Sequence, residues 1–189
     1  MSRTIWKPGT MVYPLPAVLI TCGDKPENYN VLTIAWTGTI CSEPAMTYVS
    51  IRPSRLSHEI IKRTGEFVIN LTTTKLAFAT DFCGVKSGRD INKFERLKLT
   101  PIEAKHVKAP LLEESPINIE CQVTEVKKLG THDMFMAKVL CIHADDKYMS
   151  KTGAFDLRKA EPLCFSHGKY YALGKYLGHF GYSIKKKRK

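Results

Sequence analysis

The sequence predicts a mainly β protein, an antiparallel barrel with a few helices. Three observations carry this. Runs rich in β-branched and aromatic residues recur along the chain, bounded by turn residues such as Gly23-Asp24-Lys25-Pro26 and Ser42-Glu43-Pro44. Helical patterning is confined to short stretches, and several strands with a minority of helices make a barrel the natural architecture. With 189 residues, 43% of them hydrophobic, the chain is long enough to bury a core as one domain over residues 1–182.

The elements follow in order. Val12 to Cys22 reads as a strand whose Pro14 and Pro16 belong at a sheet edge or ahead of the strand proper, because proline has no N–H to donate. Val31 to Ile40 and Met46 to Ile51 read as the next strands. Leu56 to Thr64 reads as a helix with Leu56, Ile60 and Ile61 on one face and Gly65 placed to end it. Glu66 to Leu71 is a strand and Lys75 to Phe82 a short helix. Ile117 to Val126 and Met134 to Ala144 read as paired strands, with Gly130-Thr131-His132-Asp133 as their hairpin turn.

The net charge is +11, of which the basic run Lys185 to Lys189 supplies +5 and the rest of the chain +6 (11 − 5). The end of the chain, residues 183–189, reads as a solvated, disordered tail rather than a nucleic-acid contact. A mildly basic body suits an anionic cofactor or an acidic redox partner. No run reaches the ~18 apolar residues of a membrane span, and the N-terminus lacks the apolar stretch of a secretory signal, so a cytoplasmic protein with no membrane contact is expected.

The six cysteines form no Cys-x-x-Cys pair and the six histidines no His-x-x-x-His pair, so no metal site is expected. Cys22, Cys41, Cys121 and Cys141 sit in apolar runs, where a free cysteine behaves as a small hydrophobe. Cys83, in the polar segment Asp81-Phe82-Cys83-Gly84, is the one candidate for a reactive thiol, against the simpler reading of a buried one. The glycine-rich fingerprints of dinucleotide and nucleotide-triphosphate sites and the Gly-x-Ser-x-Gly of hydrolases are absent. Outside the tail there is no interleaving of basic and aromatic residues, which argues against a nucleic-acid-binding barrel.

The richest chemistry lies in Ser50-Ile51-Arg52-Pro53-Ser54-Arg55-Leu56-Ser57, at the end of a strand and the start of a helix. Guanidinium groups match phosphate oxygens through paired, charge-assisted hydrogen bonds. Ser50 and Arg52 share one face of the strand, Ser57 suits a helix N-cap, and the free N–H groups of a helix start favour an anion. The same residues also fit an ordinary solvated helix start. Upstream, Asn30, Thr33, Trp36 and Thr37 combine polar and aromatic groups on one strand, which suits either a wall against a flat heteroaromatic ring or simple core packing.

Four blocks occurring in order decide between these alternatives. The strand NVLTIAWTGTICSEP, the block VSIRPSRLSHEII, the strand GEFVINL and the segment Ser87-Gly88-Arg89-Asp90 followed by Lys93-Phe94 resemble the flavin reductase-like family, and within it most nearly the flavoredoxin branch. The likeness runs from Pro14 to Tyr182. It implies an FMN-binding split barrel, usually a homodimer with the flavin near the interface. Thr33 to Thr37, including Ala35 and Trp36, would contact the isoalloxazine, with Asn30 beside them. Ser50, Ile51, Arg52 and Ser57 would hold the ribityl phosphate with His58 close by, and Arg89 and Lys93 would close over the phosphate end or the interface. The implied activity is oxidoreduction through FMN, with NAD(P)H or a ferredoxin-type protein as electron donor; a non-enzymatic FMN electron carrier is the alternative. Two departures stand out. Pro44 is followed by Ala45 where many members carry a second proline, and the Gly-Asp-Ser-Arg-type stretch of the two-component monooxygenase reductases is missing.

Overall fold

A computed structural model describes residues 1–184; the basic run Lys185–Lys189, and with it most of the expected tail, lies outside the described residues. The main sheet has seven strands, all antiparallel to their neighbours. In chain order they are β2 (Val18–Cys22), β3 (Asn30–Ile34), β4 (Thr37–Cys41), β5 (Met46–Ile51), β6 (Glu66–Asn70), β9 (Ile117–Lys128) and β10 (Asp133–Ala144). A second sheet joins β1 (Leu15–Pro16) to the hairpin β11 (Leu163–Ser166) and β12 (Lys169–Ala172), and β7 (Pro101–Ile102) pairs with β8 (Leu111–Leu112). The helices are α1 (Leu56–Thr64), α2 (Ala77–Val85) and α3 (Lys93–Leu97).

The strand order in the main sheet is β3-β2-β6-β9-β10-β5-β4. Thus β3 and β4, adjacent in sequence, occupy opposite edges of the sheet. Only Ala35 and Trp36 separate them, so the sheet must curl until its edges meet. This is the split barrel that the sequence predicts, and its seam runs between β3 and β4.

The expected single strand Val31 to Ile40 is therefore two strands. The chain leaves its pairing with β2 at Ile34 and takes up β5 as partner from Thr37. A tight turn makes the switch, with the Thr37 N–H donating to the Ala35 carbonyl at 3.1 Å. The expected strand from Val12 also divides. Leu15–Pro16 pairs with β11, and only Val18 onward enters the main sheet.

Alternation explains the core. Val18, Ile20 and Cys22 point into the barrel with Leu32, Ile34, Val49, Ile51, Phe67, Ile69 and Phe135, and α1 contributes Ile60 and Ile61. Leu19 and Val31 point the other way and are covered by Leu76, Ala79 and Cys83 near or on α2 and by Phe94 on α3. Burial on both faces is why β2 carries no exposed position. Helix α1 ends where the sequence predicts, at Gly65 with φ 73°, whose N–H donates to the Ile61 carbonyl at 2.8 Å. Its start differs. The N-cap is Arg55, without a side-chain cap, and Ser57 lies one residue inside the helix.

The thiols divide likewise. Cys22 and Cys121 are core residues, while Cys41 and Cys141, expected beside them, are half-buried. Cys83 is buried, and that burial pushes its thiol up to about 11, which disfavours the reactive thiolate.

Candidate functional site

The barrel seam opens into a cleft of about 350 Å³. One wall is the connector between β3 and β4, where Thr33, Ala35 and Trp36 face it together with Leu32 and Ile34. Two contacts fix that wall. The Ser50 N–H donates to the Trp36 carbonyl at 2.9 Å, tying the connector to β5. The Thr33 hydroxyl donates to the Thr80 carbonyl, tying β3 to α2. A Cβ added at Gly84 would already stand 3.4 Å from the Thr33 Cβ, so α2 lies directly against this strand.

The end of β5 and the chain after it bring Ser50, Arg52 and Arg55 to the cleft, and His132 joins them because β10 pairs with β5. Neither guanidinium has a carboxylate within ion-pair distance among the described residues. Burial and the Arg52 charge both push His132 down from its ordinary value. Arg55 immediately precedes α1, at the positive end of that helix dipole. The corner is therefore cationic and its charge is not neutralised from within, which is what an anionic group requires.

The rest of the lining includes Asp81 and Val85 on α2 and Phe165 and Tyr170 on the β11–β12 hairpin. The two rings pack with centroids 5.6 Å apart. Burial and the Asp81 carboxylate push the Tyr170 phenol up, so it stays protonated. The cleft thus offers an apolar, aromatic-lined slot ending in a cationic corner.

Comparison with known proteins agrees with this geometry. The family model of the flavin reductase like domain matches residues 10–174. The chain belongs to the flavin reductase-like family. An uncharacterized protein of Archaeoglobus fulgidus is 35% identical over 161 residues, covering 85% of this chain and 88% of the relative. The FMN reductase (NADH) RutF of Stutzerimonas stutzeri is 22% identical over 130 residues, covering 69% of this chain and 72% of that protein. The solved flavoredoxin of Desulfovibrio vulgaris superposes with a TM-score of 0.89 at 28% identity, covering 98% of this chain and all of the other. The fold is thus the flavin reductase-like split barrel, in its flavoredoxin branch, and a flavin is the cofactor class the family implies.

Within this flavin reductase-like barrel the sequence-predicted residues fall into three groups. Thr33, Ala35, Trp36, Ser50 and Arg52 border the cleft. Asn30, Ser57 and Lys93 form a buried polar knot behind β3. Asn30 Nδ2 donates to Ser57 Oγ at 2.7 Å, and Lys93 Nζ donates to the Val31 carbonyl at 2.6 Å and the Cys83 carbonyl at 3.2 Å. Burial pushes the Lys93 ammonium down from its ordinary value. Arg55 borders both the knot and the cleft, so the two adjoin.

The remaining residues lie in the frame around the cleft. Thr37 is buried and donates to the Tyr48 carbonyl at 2.5 Å, and Ile51 is core. His58 Nε2 meets Asp133 Oδ2 at 2.9 Å beneath the corner. Arg89 reaches the Ser54 carbonyl at 3.3 Å and Glu59 at 2.9 Å, clamping the corner's loop from outside.

Sequence reasoning passed over Arg55 as a site residue, and Asp81, Val85, His132, Phe165 and Tyr170 with it. Arg55 was visible in the Ser/Arg cluster itself. For Phe165 and Tyr170 the available signal was Ser166-His167-Gly168-Lys169 between aromatic residues. His167 and Gly168 both have positive φ, 48° and 74°, as a tight two-residue hairpin turn demands.

Proposed function

We propose that the protein binds FMN in the seam cleft and passes electrons or hydride through it, as a flavoredoxin-like oxidoreductase. The observation that carries this is the pair of guanidiniums, Arg52 and Arg55, without an ion-pair partner among the described residues, beside the Thr33–Trp36 wall of the same cleft. The residues fit the cofactor. A flat ring has the apolar strand wall and the Phe165–Tyr170 pair against it, and a phosphate has the two arginines and the start of α1. FMN when bound supplies hydride or single-electron transfer at its ring; the protein supplies binding, orientation and field.

The side chains divide this work. Ser50, Arg52 and Arg55 hold the anionic end, with Ser57 and Asn30 backing the loop from the buried knot. Thr33, Ala35, Trp36 and Thr37 line or brace the ring wall. Thr33 and Thr37 are tied to backbone carbonyls, so their positions do not depend on ligand. Arg89 closes the outside of the phosphate loop and Lys93 anchors β3 against α2. No side chain in the cleft is required as an acid or base.

A homodimer belongs to the same reading. Leu173, Tyr176, Leu177, Phe180 and Tyr182 are all exposed along one C-terminal segment, an apolar stretch that a second copy would cover. The electron donor is NAD(P)H or a ferredoxin-type protein. The mildly basic body suits an acidic redox protein, and this favours the carrier role as the second reading. Among the described residues no helix is long and apolar enough to cross a membrane.

Visible spectroscopy of the purified protein, before and after addition of FMN, tests the cofactor. Absence of flavin bands and of any binding on titration overturns the reading. Anaerobic stopped-flow mixing with NADH, NADPH and reduced ferredoxin then separates the two roles. Fast flavin reduction by a nicotinamide establishes the enzyme, and reduction only by ferredoxin establishes the carrier.

A further inference from the structure

Away from the cleft, the β9–β10 hairpin carries a second cluster of reactive side chains. Cys141 and His143 stand two residues apart on β10 and so share one face of the sheet. Glu120 on β9 is the register partner of Cys141 and brings its carboxylate to the same face. The Cys141 thiol, a His143 ring nitrogen and a Glu120 oxygen all lie within 4.8 Å of one another. None of the three borders the seam cleft.

The carboxylate is built into place. Glu120 is 0% exposed. Its Oε1 accepts from the Lys105 N–H at 2.9 Å, and its Oε2 accepts from the N–H groups of His106 at 2.6 Å and Val107 at 3.1 Å. His143 Nε2 stands 2.5 Å from Oε1, within hydrogen-bond distance. Cys141 and His143 are half-buried, so the cluster opens to solvent on one side.

We propose that Glu120, Cys141 and His143 form a divalent transition-metal site, with Zn²⁺ as the matching ion and water as its fourth ligand. Thiolate, imidazole and carboxylate are the ligand types zinc takes, and three protein ligands with one open position is a recurring arrangement. Metal–ligand bonds of about 2.0–2.3 Å in a tetrahedron put donor atoms roughly 3.3–3.6 Å apart. The His143–Glu120 pair, at 2.5 Å, must therefore open by about 1 Å, and the Cys141 thiol, within 4.8 Å of both, need close by no more than about 1.5 Å, within reach of side-chain rotation. The ion takes the place of the hydrogen in the His143–Glu120 contact, and that proton moves to the ring's Nδ1 or, from a charged ring, to solvent. Cys141 loses its thiol proton to solvent, and no electron is transferred. The backbone donors of Lys105, His106 and Val107 remain as the outer shell that orients the carboxylate. The bound metal would pin the loop carrying these residues to the hairpin.

Titration of chelator-treated full-length protein with Co²⁺, a coloured stand-in for zinc, tests the site. One Co²⁺ per chain with a thiolate-to-cobalt charge-transfer band, bleached by Zn²⁺, is expected. The band should vanish in Cys141→Ser, and His143→Ala should weaken binding at least tenfold. A second measurement needs only the natural protein. Zn²⁺ should slow alkylation of Cys141, followed by mass spectrometry, while the half-buried Cys41 and Cys164 react as before. No thiolate band, a band that survives Cys141→Ser, or unprotected alkylation of Cys141 overturns the proposal. FMN titration of Cys141→Ser should match the natural protein, so the outcome stands apart from the flavin reading.

Discussion

The Ser50 N–H donates to the Trp36 carbonyl at 2.9 Å, carrying the β4–β5 pairing one residue beyond Thr37 onto the connector at the seam. This bond joins the Ala35–Trp36 wall of the cleft to β5, the strand that leads into Arg52. The two halves of the cleft are therefore held in one register by backbone, and the side chains of Trp36 and Arg52 remain free to meet a ligand. The barrel is split at the cleft, because the chain changes sheet partner at Ala35–Trp36 and leaves backbone and side chains there without a complete ladder.

Arg52→Ala tests the cationic corner. The side chain is exposed and has no carboxylate partner among the described residues, so its removal should leave unfolding unchanged. FMN binding should weaken by about 1.5–3 kcal/mol, the range for hydrogen bonds to charged groups. Fluorescence titration of the apoprotein measures it, and unchanged affinity removes Arg52 from the phosphate site.

Gly88→Ala tests the knot behind β3. A Cβ there would come 2.1 Å from Asn30 Oδ1 and 3.1 Å from Leu56 Cδ2. The backbone at Gly88 is not left-handed, so the cost would come from the close approach alone. Asn30 must move aside, and its hydrogen bond to Ser57 Oγ breaks as it does. A decrease of about 1–3 kcal/mol in denaturant unfolding is expected, as for overpacking a core. A variant as stable as the parent would show that the Asn30 side chain yields freely.

How much of this was legible in the sequence depends on whether the signal was local. The α1 helix and its Gly65 stop follow from spacing and one αL position, and the hairpin of β9 and β10 from composition and a turn. The break at Ala35–Trp36 was not legible, because both sides carry strand-forming residues and only the long-range choice of partner divides them. Ser57 suits a cap by its residue type, whereas burial against Asn30, 27 residues earlier, gives it a different partner. Phe165 and Tyr170 reach the cleft through the pairing of β11 with β1, about 150 residues apart, which no local pattern announces. Cys141 and His143 match no helical ligand spacing, since on a strand side chains align at every second residue.

The buried thiols predict that stability falls in alkaline solution. Burial pushes Cys22 and Cys121 up to about 12 and Cys83 up to about 11, from an ordinary value of 9.0. Below pH 9 folded and unfolded chains hold these protons alike, and the contribution is fully present. From pH 9 to about 11–12 the unfolded chain has released protons that the fold retains, so stability falls. Lys93 acts in the opposite sense, because burial lowers its value from 10.5 and its charged form burdens the fold below that pH. Comparison with Cys121→Ala isolates the thiol. Urea unfolding under reducing conditions between pH 9 and 10.5 should show a shallower decline in the variant, by at most about 1.4 kcal/mol per pH unit. Parallel declines would mean that Cys121 ionises as easily folded as unfolded.

The His58–Asp133 pair predicts coupling between stability and ligand binding. His58 sits on α1, three residues after Arg55, and its ring meets Phe135 edge-on at 5.1 Å. Asp133 opens β10 in register with Ile51, the residue before Arg52. The 2.9 Å contact between them therefore joins the two sides of the cationic corner's loop from beneath. Both side chains are nearly buried, so removing either leaves the other without its partner. His58→Ala should cost about 1–3 kcal/mol of folding stability, the penalty for a buried group left unsatisfied. It should also weaken FMN binding severalfold, although His58 does not border the cleft, because Arg52 and Arg55 would then stand without their common support. Asp133→Ala should reproduce both effects, and the double variant should cost less than the sum of the two singles. Strictly additive effects, or affinity unchanged in both single variants, would mean that the pair stabilises the barrel without positioning the corner.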